Sequence, residues 1–160
     1  MQVDQEQDAR IRGTMWKAMG KSPFVMVGLV GSHDHHEPMT AQLDPDANSE
    51  FWFYCNRDNR IAKGGEAMVQ FVSKGQDLFA CIHGTLVEET RREIFDKYWS
   101  NPVEAWFEGG KEDPNVMMLR FDLKDAEVWE ADLSLTGKLK LMTGNTIRPD
   151  EAGKHAEVAL

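Results

Sequence analysis

Arg57, Arg60 and Lys63 recur at steps of three directly after the run Phe51-Trp52-Phe53-Tyr54-Cys55. Residues of these types at this spacing could hold a phosphate. The preceding run is rich in strong β-formers. Asn56 to Asn59 supply turn and N-cap chemistry, so the chain is expected to pass from a strand into a short helical turn. A helix N-terminus leaves backbone N–H groups pointing outward, and cations beside them would complete an anion cradle. A solvated basic face following an ordinary strand explains the same residues, and the segment alone does not separate the two.

Other groups with chemical potential are less persuasive. His33, Asp34, His35, His36 and Glu37 offer imidazole and carboxylate together, the common ligands of several metals. Adjacent residues on a turn point in divergent directions, so a solvated hairpin tip is the preferred reading and no metal is assigned. His83 sits inside a strand-like run, where a structural role competes with one beside a ligand. Cys55 and Cys81 also lie in strand-like runs without metal-ligand spacing and read as small buried hydrophobes. No general acid or base stands out, so no catalytic residue is assigned.

The whole chain narrows the partners. Its formal charge of −9 argues against general nucleic-acid binding, which makes the local basic cluster stand out as a small-anion site. Met1 to Arg12 is polar and charged, and no run approaches the roughly 20 apolar residues that span a bilayer. A cytoplasmic protein with no membrane partner is the simplest expectation. A length of 160 residues suits one domain.

The elements that must position the basic cluster follow from pattern. Ala9, Ile11, Met15, Trp16 and Met19 predict an amphipathic helix over Asp4–Met19, packed outside a sheet. Phe24–Val30 reads as a strand buried on both faces, and Pro38–Leu43 as its antiparallel partner. Strands are also predicted over Ala67–Val72 and Leu78–Glu88, the second with a bulge or close approach at Gly84. Thr90 and Glu93 resemble a capping box for a helix to Trp99, and Asn101-Pro102 opens a second short helix through Phe107. Met117–Asp122 and Ala126–Glu130 read as two strands joined by a turn at Lys124-Asp125. The stretch from Leu133 to Leu160 shows no clear pattern. Short strands with short connections, a few helices and no βαβ alternation predict an α+β, mainly antiparallel barrel or sandwich. Neither a dinucleotide fingerprint nor a triphosphate-binding loop occurs.

Several segments in this order resemble the FMN-binding split-barrel family related to pyridoxamine 5′-phosphate oxidase, in particular its general-stress-protein branch. They are Pro38-Met39-Thr40-Ala41-Gln42, Trp52-Phe53-Tyr54-Cys55-Asn56-Arg57-Asp58, Lys74-Gly75-Gln76-Asp77-Leu78-Phe79-Ala80, Gly84, Trp106 through Pro114, and Ala126-Glu127-Val128-Trp129. The resemblance implies an antiparallel split barrel with flanking helices, with its core at about residues 22–131 of a single domain. It further implies a homodimer with FMN at the subunit interface. Asn56, Arg57, Asn59 and Arg60 would face the phosphate, with Lys63 a possible addition. Met39, Thr40 and Ala41 would run beside the isoalloxazine, and Tyr54, Cys55 and Phe79 would complete its surroundings. Trp129 would approach the flavin from the other subunit, although an ordinary core indole fits that position as well. Trp106 is expected to serve packing.

Some positions depart from the oxidase. The stretch Glu130 to Thr136 has no cation where the oxidase places substrate-binding arginine and histidine, Glu37 stands where relatives often have a base, and Ile61 replaces a frequent lysine. These differences argue against pyridoxamine phosphate oxidation. The expected function is therefore an FMN-binding stress-type protein, in its enzymatic form an oxidoreductase fed by NAD(P)H. The alternatives are a non-catalytic flavin carrier or sensor, or an oxidase-like enzyme.

Overall fold

In the computed structural model, residues 2–46, 49–131 and 153–160 are described. The chain runs α1 (Gln2–Lys21), β1 (Phe24–Leu29), β2 (Glu37–Thr40), β3 (Glu50–Asn56), β4 (Gly65–Val72) and β5 (Leu78–Glu88). It continues through α2 (Arg92–Tyr98), α3 (Asn101–Glu104), β6 (Val116–Ala131) and β7 (Gly153–Ala159). The strands form one antiparallel sheet in the order β2-β1-β4-β5-β6-β3, with β7 also paired to β6. The sheet is open, as in a split barrel. Its two end strands approach where Gln42, just past β2, exchanges backbone hydrogen bonds with Trp52 of β3 at 2.7 and 3.0 Å.

The core explains why the aromatic run must be a strand buried on both sides. Phe51, Phe53 and Cys55 face a main core that also holds Phe121, Val27, Val69 and Ile82. Trp52 and Tyr54 point the other way, into a second cluster with Phe95, Val103 and Met118. That second cluster is what fastens α2 and α3 to the sheet. The periodicity of α1 is likewise realised, since Ile11, Met15 and Met19 are fully buried at steps of four and Trp16 meets Phe51 edge-on at 6.1 Å.

Several segments differ from expectation, among them α3, which ends at Glu104 and does not run through Phe107 as expected. Phe24–Leu29 is not buried on both faces, because Phe24 and Met26 are 66% and 41% exposed. The two strands expected near Lys124-Asp125 are one 16-residue strand. Its pairing shifts register between His83 and Gly84, so His83 opposes Asp125 while Gly84 opposes Leu123, and Lys124 is absorbed as a bulge rather than a turn. Helix α2 starts at Arg92 with Arg91 as N-cap and no side-chain cap bond, so Thr90 does not cap it. The patternless tail contains β7, so His155, opposite Trp129, is a second strand histidine in addition to the expected His83. Most of the remainder of that tail lies outside the described residues.

Gly84 earns its place by contact. A Cβ there would stand 2.4 Å from the carbonyl oxygen of Asp122 and 2.8 Å from the Phe121 ring. The bulge and the glycine are thus one feature, letting β5 and β6 close tightly over Phe121.

Candidate functional site

The basic segment after β3 is a chain of tight turns and not a helix. Asn59 N–H donates to the Asn56 carbonyl at 2.9 Å, Ala62 to Asn59 at 3.0 Å and Gly64 to Ile61 at 3.0 Å. The Asn59 side-chain oxygen takes the Ile61 amide at 3.0 Å, so the side chain competes with helical bonding for that donor. Ile61 is fully buried and anchors the segment. As a result, the basic residues at steps of three do not share one helical face.

Each arginine is held separately. Arg57 donates through Nε to the Pro114 carbonyl at 2.9 Å and through Nη1 to Glu88 at 3.0 Å. Arg60 donates to the His35 carbonyl at 2.7 Å, and its Nε lies 3.7 Å from Glu37. Lys63 is exposed. The backbone N–H groups of Asp58, Arg60 and Lys63 have no hydrogen-bond partner among the described residues. Unpaired turn amides and exposed cations are groups suited to an anion, here on turns and not at the expected helix terminus. Of the three basic residues, however, only Arg60 lines a cavity, and Arg57 and Lys63 line neither of the two at this site.

Next to these turns lies a cavity of about 590 Å³. Met39, Thr40, Tyr54, Cys55, Asn56 and Asn59 all line it, so β2, β3 and the turn converge there. Pro102, Val103, Trp106 and Phe107, from α3 and the chain after it, also line it. Burial pushes the Tyr54 hydroxyl well above its ordinary range, and that hydroxyl donates to the Phe95 carbonyl at 2.6 Å. Burial, reinforced by the Glu37 carboxylate, pushes the Cys55 thiol up to about 12. Both side chains therefore present neutral groups to the cavity near neutral pH.

Arg60 instead lines an adjoining polar cavity with His33, Asp34, His35 and Asp58. Glu37 borders both spaces. Among the described residues no cluster of histidine, cysteine, aspartate and glutamate could hold a metal ion. His36 is half-buried against Gly28 with Nδ1 2.9 Å from Gln70 Oε1, so only part of the histidine segment is a solvated tip.

Three further sequence-selected residues lie elsewhere. Ala41 is buried in the main core. Phe79 and Trp129 are direct partners across β5 and β6, and Trp129 stacks on His155 at 5.1 Å. Both are about two-fifths exposed, so Trp129 is not a core indole. β4 and β5 separate β1 from β6, so Trp129 stands about 14 Å across the sheet from Phe24 at the cavity.

The sequence reading missed several contributors. Trp106 is 82% exposed, not packed; its neighbour Phe107 takes the packing position, 5.8 Å from Trp99. The carbonyls of His35 and Pro114 and the carboxylate of Glu88 hold the arginines from distant parts of the chain, and no local sequence signal announces such partners.

The residues present suit a phosphate joined to a flat ring. Exposed cations and unpaired turn amides can take the anion, while Met39 and Tyr54 border an adjacent partly apolar space. The arginines' present partners do not forbid this. Exposed ion pairs are worth about 0–1 kcal/mol, less than a charge-assisted bond to phosphate at about 1.5–3 kcal/mol.

Comparison with known proteins follows the same lines. Residues 11–148 match the family described as pyridoxamine 5′-phosphate oxidase like. A general stress FMN/FAD binding protein from Xanthomonas citri is 40% identical, with 79% of this chain and 93% of that one covered and a TM-score of 0.72. A candidate general stress protein 26 from Jannaschia sp. CCS1 is 26% identical over 95% of this chain and 99% of its own, with a TM-score of 0.77. A protein from Clostridium acetobutylicum related to general stress protein 26 shares the fold at 18% identity, covers 96% of each chain and has a TM-score of 0.66. No curated protein is significantly similar in sequence.

Proposed function

Because this chain belongs to the pyridoxamine 5′-phosphate oxidase-like family, in its general-stress-protein branch, we propose that it is a flavin-binding protein whose preferred ligand is FMN. The observation that carries this reading is the meeting of Met39, Thr40, Tyr54, Asn56 and Asn59 around one cavity beside the basic turns. The name of the 40% identical Xanthomonas citri protein, which mentions FMN and FAD, supports it. In this reading Arg57, Arg60, Lys63 and the free turn amides take the phosphate. Met39, Thr40 and Tyr54 border the ring, and the whole chain acts as one flavin-binding domain.

Bound flavin would supply hydride and electron transfer, with a reduced nicotinamide as the donor. The chain's own residues bind, orient and exclude water. Because the Tyr54 hydroxyl is engaged and the Cys55 thiol stays protonated, neither transfers a proton near neutral pH. That same observation favours a second reading, a carrier or sensor of flavin without turnover.

The proposal includes a homodimer. Val72, Phe79 and Trp129 lie in one cross-strand row, and Phe24 is the next large exposed apolar side chain toward the cavity. A contiguous exposed apolar band of this kind marks an interaction surface. Since Trp129 is too far across its own sheet, a second copy is what brings it near the cavity.

The test is a titration of purified protein with FMN, followed by flavin absorbance and fluorescence. The expected result is saturable quenching with one FMN per chain. Protein that leaves added FMN fluorescence unchanged would rule the reading out. Rapid bleaching of bound flavin by NADPH or NADH in a stopped-flow instrument then separates the enzyme from the carrier.

A further inference from the structure

One wall of the apolar cavity is formed by residues to which the flavin reading gives no task. Trp106 is the most exposed large hydrophobic side chain among the described residues, at 82%, yet its backbone is held. Its N–H donates to the Val103 carbonyl at 3.0 Å, and the next residue, Phe107, donates to Glu104 at 3.0 Å. Val103 is buried and Phe107 packs on Trp99. An indole kept in water on an anchored segment is an unfilled stacking surface, and its face favours electron-poor or cationic partners.

Glu37 is the only charged residue among the described residues that line this cavity. Its Oε2 is loosely paired with Arg60 at 3.7 Å, while its Oε1 is buried without a hydrogen-bond partner. A buried carboxylate oxygen without a partner gains from any cation that reaches it. The cavity therefore offers an open aromatic face together with one carboxylate that is only loosely paired and has one oxygen without a partner.

We propose that Trp106 and Glu37 form a subsite for a flat, positively charged heteroaromatic ring, of which a pyridinium is the simplest case. Ring binding follows from this chain's own residues, whereas its redox meaning rests on the flavin reading above. A dihydropyridine that passes a hydride, two electrons with one proton, to bound flavin is left as a pyridinium cation. A site that prefers the cation over the neutral ring favours that oxidised product.

The experiment titrates the full chain, with and without FMN, with N1-methylnicotinamide as the cation, nicotinamide as the neutral ring and nicotinate as the anion. Tryptophan fluorescence and ligand-observed NMR follow binding. The cation is expected to bind about tenfold more tightly than the anion, with the neutral ring between. Trp106→Ala should weaken the cation about tenfold while FMN affinity changes by less than roughly threefold, and Trp106→Phe should retain most of the binding. Glu37→Gln should remove the preference for cation over neutral ring. NAD⁺ binding more tightly than N1-methylnicotinamide identifies a dinucleotide as the source of the ring, and the reverse order identifies a free pyridinium; either order supports the subsite.

Equal affinity for all three rings, or a Trp106→Ala variant that binds the cation as the parent does, overturns the proposal. A loss of FMN affinity of about tenfold or more in Trp106→Ala would place the indole against the flavin itself, ending this inference while leaving the flavin reading intact. Failure to take up FMN with the ring preference preserved would do the opposite.

Discussion

At the scale of single residues, charge and burial decide what the site can do. Arg57 and Arg60 are exposed and held by carbonyls and weak surface pairs, so they can turn to a phosphate. Removing both with Arg57→Ala and Arg60→Ala should weaken FMN far more than riboflavin, by on the order of 1.5 to 3 kcal/mol for each bond lost. Parallel fluorescence titrations check this, and equal losses for the two ligands would show that the arginines do not meet the phosphate. Cys55 makes a different statement. Burial raises its thiol from 9.0 to about 12, so the folded form holds that proton more tightly than the unfolded chain does. Its contribution to stability is full below pH 9 and is lost as pH climbs toward about 12. Urea unfolding at pH 8 and at pH 10.5 should therefore show a steeper alkaline loss for the parent than for Cys55→Ala.

At the scale of elements, Gly84 offers the sharpest test, because a methyl there meets the Asp122 backbone and not a yielding side chain. Gly84→Ala should cost about 1–3 kcal/mol, measured as a lower urea midpoint with an unchanged slope. Local pattern made most elements legible: the four-residue spacing of Ile11, Met15 and Met19, and the alternation of buried Leu78, Ala80 and Ile82 with more exposed neighbours, both mark their element without help from the rest of the chain. Long-range effects hid the remainder. Lys124-Asp125 looks like a turn until β5 supplies a partner that absorbs the extra residue. Asn56 to Asn59 looks like a helix start until the Asn59 side chain takes the Ile61 amide. At the candidate site the family resemblance singled out Met39, Thr40, Tyr54 and Cys55, which line the cavity, along with Ala41, which lies in the core, whereas Trp106 was read as packing because nothing local told it apart from Phe107. The partners of both arginines come from segments 25 to 57 residues away, beyond any local pattern.

At the scale of the molecule, the exposed band of Val72, Phe79 and Trp129, with Phe24 beyond it, is the feature a lone chain explains least. Two charges placed there, Val72→Lys with Phe79→Lys, should leave the circular dichroism unchanged and convert the proposed dimer to a monomer in sedimentation velocity. FMN affinity should fall with it if the second copy completes the site. Unaltered sedimentation would exclude this face as the interface. Strand β6 carries a separate consequence. Its first half pairs with β3, its second half with β7, and nearly its whole length with β5. During synthesis β3 is made about 60 residues before the strand that completes its ladder, so the early hairpins must wait with an open flank. Closure of such distant pairings is slow, and chaperone demand should be greatest in the interval before Val116 leaves the ribosome.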